Sequence, residues 1–298
     1  MTSNISTNTC FVDNGEKFCE KFWKKFGKKF STSEQEQSFY TSDIDPDQKS
    51  KELYEYHKEL WNIQRKKLDL QNKVPEIIKD PQYVNGAYEL ATQNPNLRLG
   101  SDSIISIYWH WNSMQDIIKE DNNWLRKTFK DFNISETDKE ERKFNNNWSD
   151  LKKFVWGYLQ KANTIGGFVV FPKHLNSING RRGMSAKICD RFDLTLECIR
   201  RFYNEPKRDN PLIDALTADH KFFQIFGSFE KYIDFFCLNS WVKDGVLSLI
   251  DNEPLDNWDF NNDKSLPTKS NWQTFYKNIM DRLKDRNTDI QNLFVEKK

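Results

Sequence analysis

The chain has little of what usually announces a chemistry. Its four histidines, at positions 57, 110, 174 and 220, show neither the HxxxH nor the HExxH spacing of a zinc site. Five cysteines form no CxxC pair. Cys189 and Cys198 fall on one predicted helix, so about 13 Å of helical rise separates them, beyond the reach of a disulfide. Free thiols are therefore expected. No Walker loop, nucleophile elbow or dinucleotide fingerprint is present. No apolar run approaches the roughly 20 residues of a membrane span. The opening MTSNISTNTC has neither the basic start nor the apolar stretch of a secretory leader, and a cytoplasmic location is the expectation. Lysine plus arginine numbers 45 against 44 acidic residues, so net charge alone recruits neither nucleic acid nor an anionic membrane.

Aromatic side chains are abundant. With 23 Phe and 10 Trp, the chain can bury a substantial core despite its 30% of charged residues. Its 298 residues suit one large domain or two small ones. The pattern predicts a helix-dominated α+β globular domain with a small β-sheet over 43–298, preceded by a separate segment at 1–42.

The stretch around which the rest is organised runs from Thr164 to Tyr203. Phe168 to Phe171 is a short apolar run entered through Gly166-Gly167 and stopped by Pro172, which favours a buried strand. Lys173 to Gly183 has no apolar period and carries turn chemistry. Lys187 to Tyr203 reads as a helix with two opposed faces. Ile188, Phe192, Leu196, Ile199 and Phe202 lie on one, while Asp190, Asp193, Glu197, Arg200 and Arg201 lie on the other. Two readings of that charged stripe are open. In one, its carboxylates meet the polar turn across a cleft. In the other, it is a solvated face carrying a Glu197–Arg201 pair.

Glu16 to Phe30 reads as a basic amphipathic helix, with Phe18, Phe22 and Phe26 at i,i+4 surrounded by Lys21, Lys24, Lys25, Lys28 and Lys29. It suits packing on the body of the protein, or docking on a membrane or acidic partner. A helix is expected up to about Leu70. Strands around Gly86 and at Leu97 to Leu99 form a hairpin or neighbours. Gly100 to Ser103 reads as the cap of a helix reaching Ile118. A charged insertion is expected at 120–147 and a helix from Trp148 to Ala162. Two aromatic-rich helices follow, about Leu212 to Phe226 and Phe229 to Val242. A loop-rich stretch with one short strand leads to a last helix from Trp272 to Phe294.

Five runs together carry a resemblance: SDSII at Ser101 to Ile105, TIGGFVVFP at Thr164 to Pro172, SINGRRG at Ser177 to Gly183, DRFDLTLECIRRFY at Asp190 to Tyr203, and KFFQIFGSFEKYIDFFCLN at Lys221 to Asn239. From about Asp43 onward the chain resembles an uncharacterised bacterial family, a domain of unknown function. The resemblance implies a bacterial or phage-related intracellular protein. It brings no catalytic residue and no cofactor.

Two functions are expected from the residues. The first is an enzyme acting on a nucleotide or nucleic-acid phosphate, in a defence or toxin setting. Arg182, Arg191 and Arg201 would hold the anion with Asn179 and Ser177, and Asp190, Asp193 or Glu197 would serve as base. The second is a non-catalytic binding or regulatory protein that docks through its N-terminal basic helix.

Overall fold

The computed structural model describes residues 46–104, 162–173, 178–243, 246–248, 254–263, 265–268 and 270–296. The N-terminal basic segment, the helix expected to reach Ile118, the insertion at 120–147, nearly all of the helix expected from Trp148, and Ser177 lie outside those residues, as does the side chain of Asn179.

The fold is α+β and dominated by helices. Helices α1 (Pro46–Lys49) and α2 (Lys51–Lys67) precede a meander of β1 (Gln82–Val84), β2 (Ala87–Ala91) and β3 (Arg98–Ser103), which β4 (Phe168–Pro172) completes. The four strands pair antiparallel in the order β1-β2-β3-β4. Helix α2 starts where Ser50 accepts the Leu53 N–H at 3.1 Å, a side-chain cap. The β1–β2 turn is Asn85-Gly86, both at positive φ (50° and 88°), as a two-residue hairpin turn requires.

The sequence reading of Gly100 to Ser103 as a helix cap gives way to a strand. Leu99 to Ser103 face Pro172 to Phe168 in unbroken register, while the Ser101 and Ser103 N–H groups turn to Tyr54 and Asp47. Side chains alternate across the sheet. Leu99 and Ser101 face α2; Gly100 and Asp102 face the other way. Tyr54 of α2 locks the first side. Its hydroxyl donates to the Asp47 carbonyl at 2.6 Å and accepts the Ser101 N–H at 2.9 Å.

All of β4 is buried. After it come α3 (Ile178–Met184), α4 (Phe192–Asn204), α5 (Ile213–Ala218), α6 (His220–Gln224) and α7 (Phe229–Phe235). The expected turn over Lys173 to Gly183 is therefore helical from Ile178 onward. Likewise α4 begins at Phe192 rather than Lys187, because Cys189 and Asp190 both take positive φ (50° and 55°) and break the helix. The helix expected over 212–226 divides at Asp219, the residue between α5 and α6. A short ribbon of β5 (Val242–Lys243) and β6 (Val246–Leu247) leads toward the long α8 (Trp272–Glu296). The core is aromatic: Trp61 of α2 stacks edge-on against Phe235 at 4.9 Å, and Phe222, Phe226 and Phe236 surround it.

Candidate functional site

Beyond the edge of β3 lies a cavity of about 530 Å³, within the roughly 300–1,000 Å³ of ligand sites. Ala87, Glu89, Gly100, Asp102 and Lys173 come from the sheet face turned away from α2. Gly180 and Gly183 of α3 and the turn residue Asp190 line it too, with Asp47 of α1. A Cβ on Gly180 or Gly183 would meet nothing within 4 Å. That side of α3 is bare backbone.

One residue assembles this wall. Arg182 is fully buried and spends every donor internally. Its Nε donates to Thr195 Oγ1 at 3.0 Å, its Nη1 to Asp102 Oδ2 and to the Ser103 carbonyl at 3.1 Å, and its Nη2 faces Asp190 Oδ1 at 3.3 Å. Burial alone pulls a guanidinium pKa down, but Asp102 and Asp190 more than offset that and hold it above its ordinary value. The SDS run on β3, the NGRRG run on α3 and the Asp190 turn are thus tied by one cation. The consecutive left-handed backbone at Cys189 and Asp190 is the local cost of bringing Asp190 back to that cation.

On the floor, Lys173 lies with its stem 3.5 Å from where a Gly100 Cβ would stand. Its Nζ donates to the Tyr88 carbonyl at 3.3 Å and lies 4.0 Å from Glu89 Oε2. Glu89 is held more closely by Arg98, 3.0 Å from its other oxygen. Burial lowers the Lys173 pKa, Glu89 pulls it back up, and Arg98 pushes it down again.

The other residues nominated by sequence sit elsewhere. Asp193 is fully buried and takes a two-pronged contact from Arg191, whose Nε lies 3.0 Å from Oδ1. Arg191 Nη1 donates to the Ser265 carbonyl at 2.8 Å, with the Phe275 ring 4.9 Å from the guanidinium. Glu197, also fully buried, binds Arg200 at 2.7 Å and Arg201 at 2.6 Å. Arg201 then donates to the carbonyls of Asp209 and Trp258. The Glu197–Arg201 pair exists, but the stripe is not solvated. It is a buried clasp that fastens the backbone at Trp258 and Ser265 to the start and body of α4, and none of these residues lines the cavity. Arg182 and Asp190 do belong to its wall. Glu89 and Lys173 carry no motif in the sequence; the Ser101-Asp102-Ser103 run suits a helix start, as a plain cap or as N–H groups holding an anion, and it lies on β3 instead.

His57 Nε2 lies 3.0 Å from Ser101 Oγ. Burial, with Arg286 nearby, lowers the imidazole pKa to about 3, so it is a weak proton acceptor. The pair lies between α2 and the sheet, and Ser101 also lines the cavity at the edge of β3.

Among known proteins, a model described as a family of unknown function (DUF6994) matches residues 28–135 and 130–290. That match starts ahead of the Asp43 boundary expected from the motifs. No curated protein and no solved structure matches the chain.

Proposed function

The chain belongs to that family of unknown function, and from this premise we propose that it binds, and acts on, a compact phosphate-bearing ligand of nucleotide size in the cavity between β3 and α3. One observation carries the reading: a hollow of about 530 Å³ with bare helix backbone on one element, lined by the carboxylates of Asp47, Glu89, Asp102 and Asp190 and by the Lys173 ammonium. Bare backbone permits close approach of a ligand. Asp102 and Asp190, held in place by Arg182, are acceptors for ligand hydroxyl groups, and Asp190 is the candidate base. Asp193, Glu197, Arg191 and Arg201 are assigned to the scaffold.

The test is thermal-shift and calorimetric titration of the full chain with nucleosides, nucleoside mono- and diphosphates and sugar phosphates, repeated on Asp190→Asn. Binding by at least one class, weakened in the variant while the fold is kept, supports the reading. A panel with no binder, or binding indifferent to Asp190→Asn, removes it.

A further inference from the structure

The structure leads us to propose that Lys173, and not Arg182, Arg191 or Arg201, receives the anionic group of the ligand. This rests on the cavity being the ligand site, and it names the chemistry at one end of it.

The three buried arginines already have their donors committed. Arg182 makes contacts with Thr195, Asp102, Ser103 and Asp190. Arg191 is committed to Asp193 and the Ser265 carbonyl, and Arg201 to Glu197 and two further carbonyls. A guanidinium whose forks are already filled has nothing left for a phosphate without breaking a buried pair. Lys173 differs. An ammonium has three donors, and the described residues give it one hydrogen bond, to Tyr88, and a loose 4.0 Å approach to Glu89.

Glu89 makes an anion acceptable there. It is 5% exposed and straddles two cations. Its tighter partner is Arg98 at 3.0 Å. When an incoming phosphate takes the Lys173 head, Glu89 keeps its 3.0 Å ion pair with Arg98. Gly100 completes the arrangement. Without a side chain at that position, the Lys173 stem lies flat on the strand with its head toward Glu89. The lowered Lys173 pKa agrees with a head partly withdrawn from water.

The test uses the full chain and three probes: AMP, adenosine and inorganic pyrophosphate, titrated by calorimetry against the unaltered protein, Lys173→Met and Lys173→Arg. Met keeps the apolar stem over Gly100, so the fold is retained; equal melting temperatures check this. The expected result is AMP or pyrophosphate binding that falls about ten-fold or more in Lys173→Met, the scale of a lost charged hydrogen bond, and returns largely in Lys173→Arg. A second readout is covalent. The Lys173 amine adds to the aldehyde of pyridoxal phosphate, water leaves, and borohydride reduces the imine. Peptide mapping should place the label on Lys173, with pyrophosphate protecting it. If adenosine binds as tightly as AMP and Lys173→Met changes neither, the cavity keeps its ligand and this assignment is overturned. If none of the three binds and the label spreads over surface lysines, the assignment falls as well.

Discussion

Arg182 on α3 and Asp102 on β3 are joined by a buried ion pair, and that contact spans 80 residues of sequence. It connects two motifs that look unrelated in the chain. Replacing Arg182 by Met keeps the volume but leaves Asp102 and Asp190 facing each other with no cation between them. Removing one partner of a buried network costs about 3–5 kcal/mol. Arg182→Met should therefore lower the urea midpoint strongly. Arg182→Lys should recover only part of that loss, because one ammonium cannot reach Thr195, Asp102 and Asp190 together.

Scaffold and site carboxylates should separate cleanly in a pair of variants. Glu197→Gln leaves Arg200 and Arg201 without the anion they share at 2.7 and 2.6 Å, at about 3–5 kcal/mol in stability. Any Glu197→Gln protein that still folds should bind ligand as before, since Glu197 does not line the cavity. Asp190→Asn retains a hydrogen-bond acceptor for Arg182 and should cost less in urea denaturation while weakening ligand binding. Reversal of this order would place the active carboxylates on α4.

These two cases show where the sequence is readable. Strand β4 is legible because FVVFP is apolar throughout and bracketed by glycine and proline, which is local information. The two faces of α4 are legible for the same reason. What covers the charged face is not, because its partners, the Trp258 and Ser265 carbonyls, lie 57 and 74 residues downstream. Hydrophobic period says that a face is polar, and nothing about whether a later loop folds over it. Asp102 was hidden by a different ambiguity. Ser-Asp-Ser is both a helix cap and a strand end, and only pairing with β4 decides. Lys173 carries no local signal, since its role depends on Gly100 across the ladder.

The glycine pair entering β4 is a matter of space. Gly166 N–H donates to Asn287 Oδ1 at 2.8 Å, and a Cβ on Gly166 would stand 2.7 Å from that oxygen. At Gly167 the added atom would lie 1.6 Å from the Ala162 carbonyl, which is backbone and does not yield. Gly167→Ala should cost more than Gly166→Ala, and more than the roughly 1–3 kcal/mol of ordinary overpacking. Asn287→Ala combined with Gly166→Ala should be less than additive, because the first removes the obstacle met by the second. Chemical denaturation of Gly167→Ala, Gly166→Ala, Asn287→Ala and the Gly166→Ala/Asn287→Ala double variant measures this.

The His57 imidazole has an effect that appears only on titration. His57 is buried on α2, and its pKa falls from 6.5 to about 3, through burial first and Arg286 second. The folded protein therefore takes up this proton at lower pH than the unfolded chain does. Above pH 6.5 neither form is protonated there, and the group leaves stability unchanged. As pH falls below 6.5 the unfolded chain gains the proton first, so stability is lost steadily until about pH 3, where the folded form binds it too. The slope contributed by one such group is about 1.4 kcal/mol per pH unit. Urea melts at successive pH values from about 7 to 4 should show it on top of the carboxylate titrations. In His57→Gln the slope should be shallower by about that amount, with an amide nitrogen still able to meet Ser101 Oγ. An unchanged slope would mean that the imidazole is protonated in the folded protein, and with it that the α2–sheet interface is open to water.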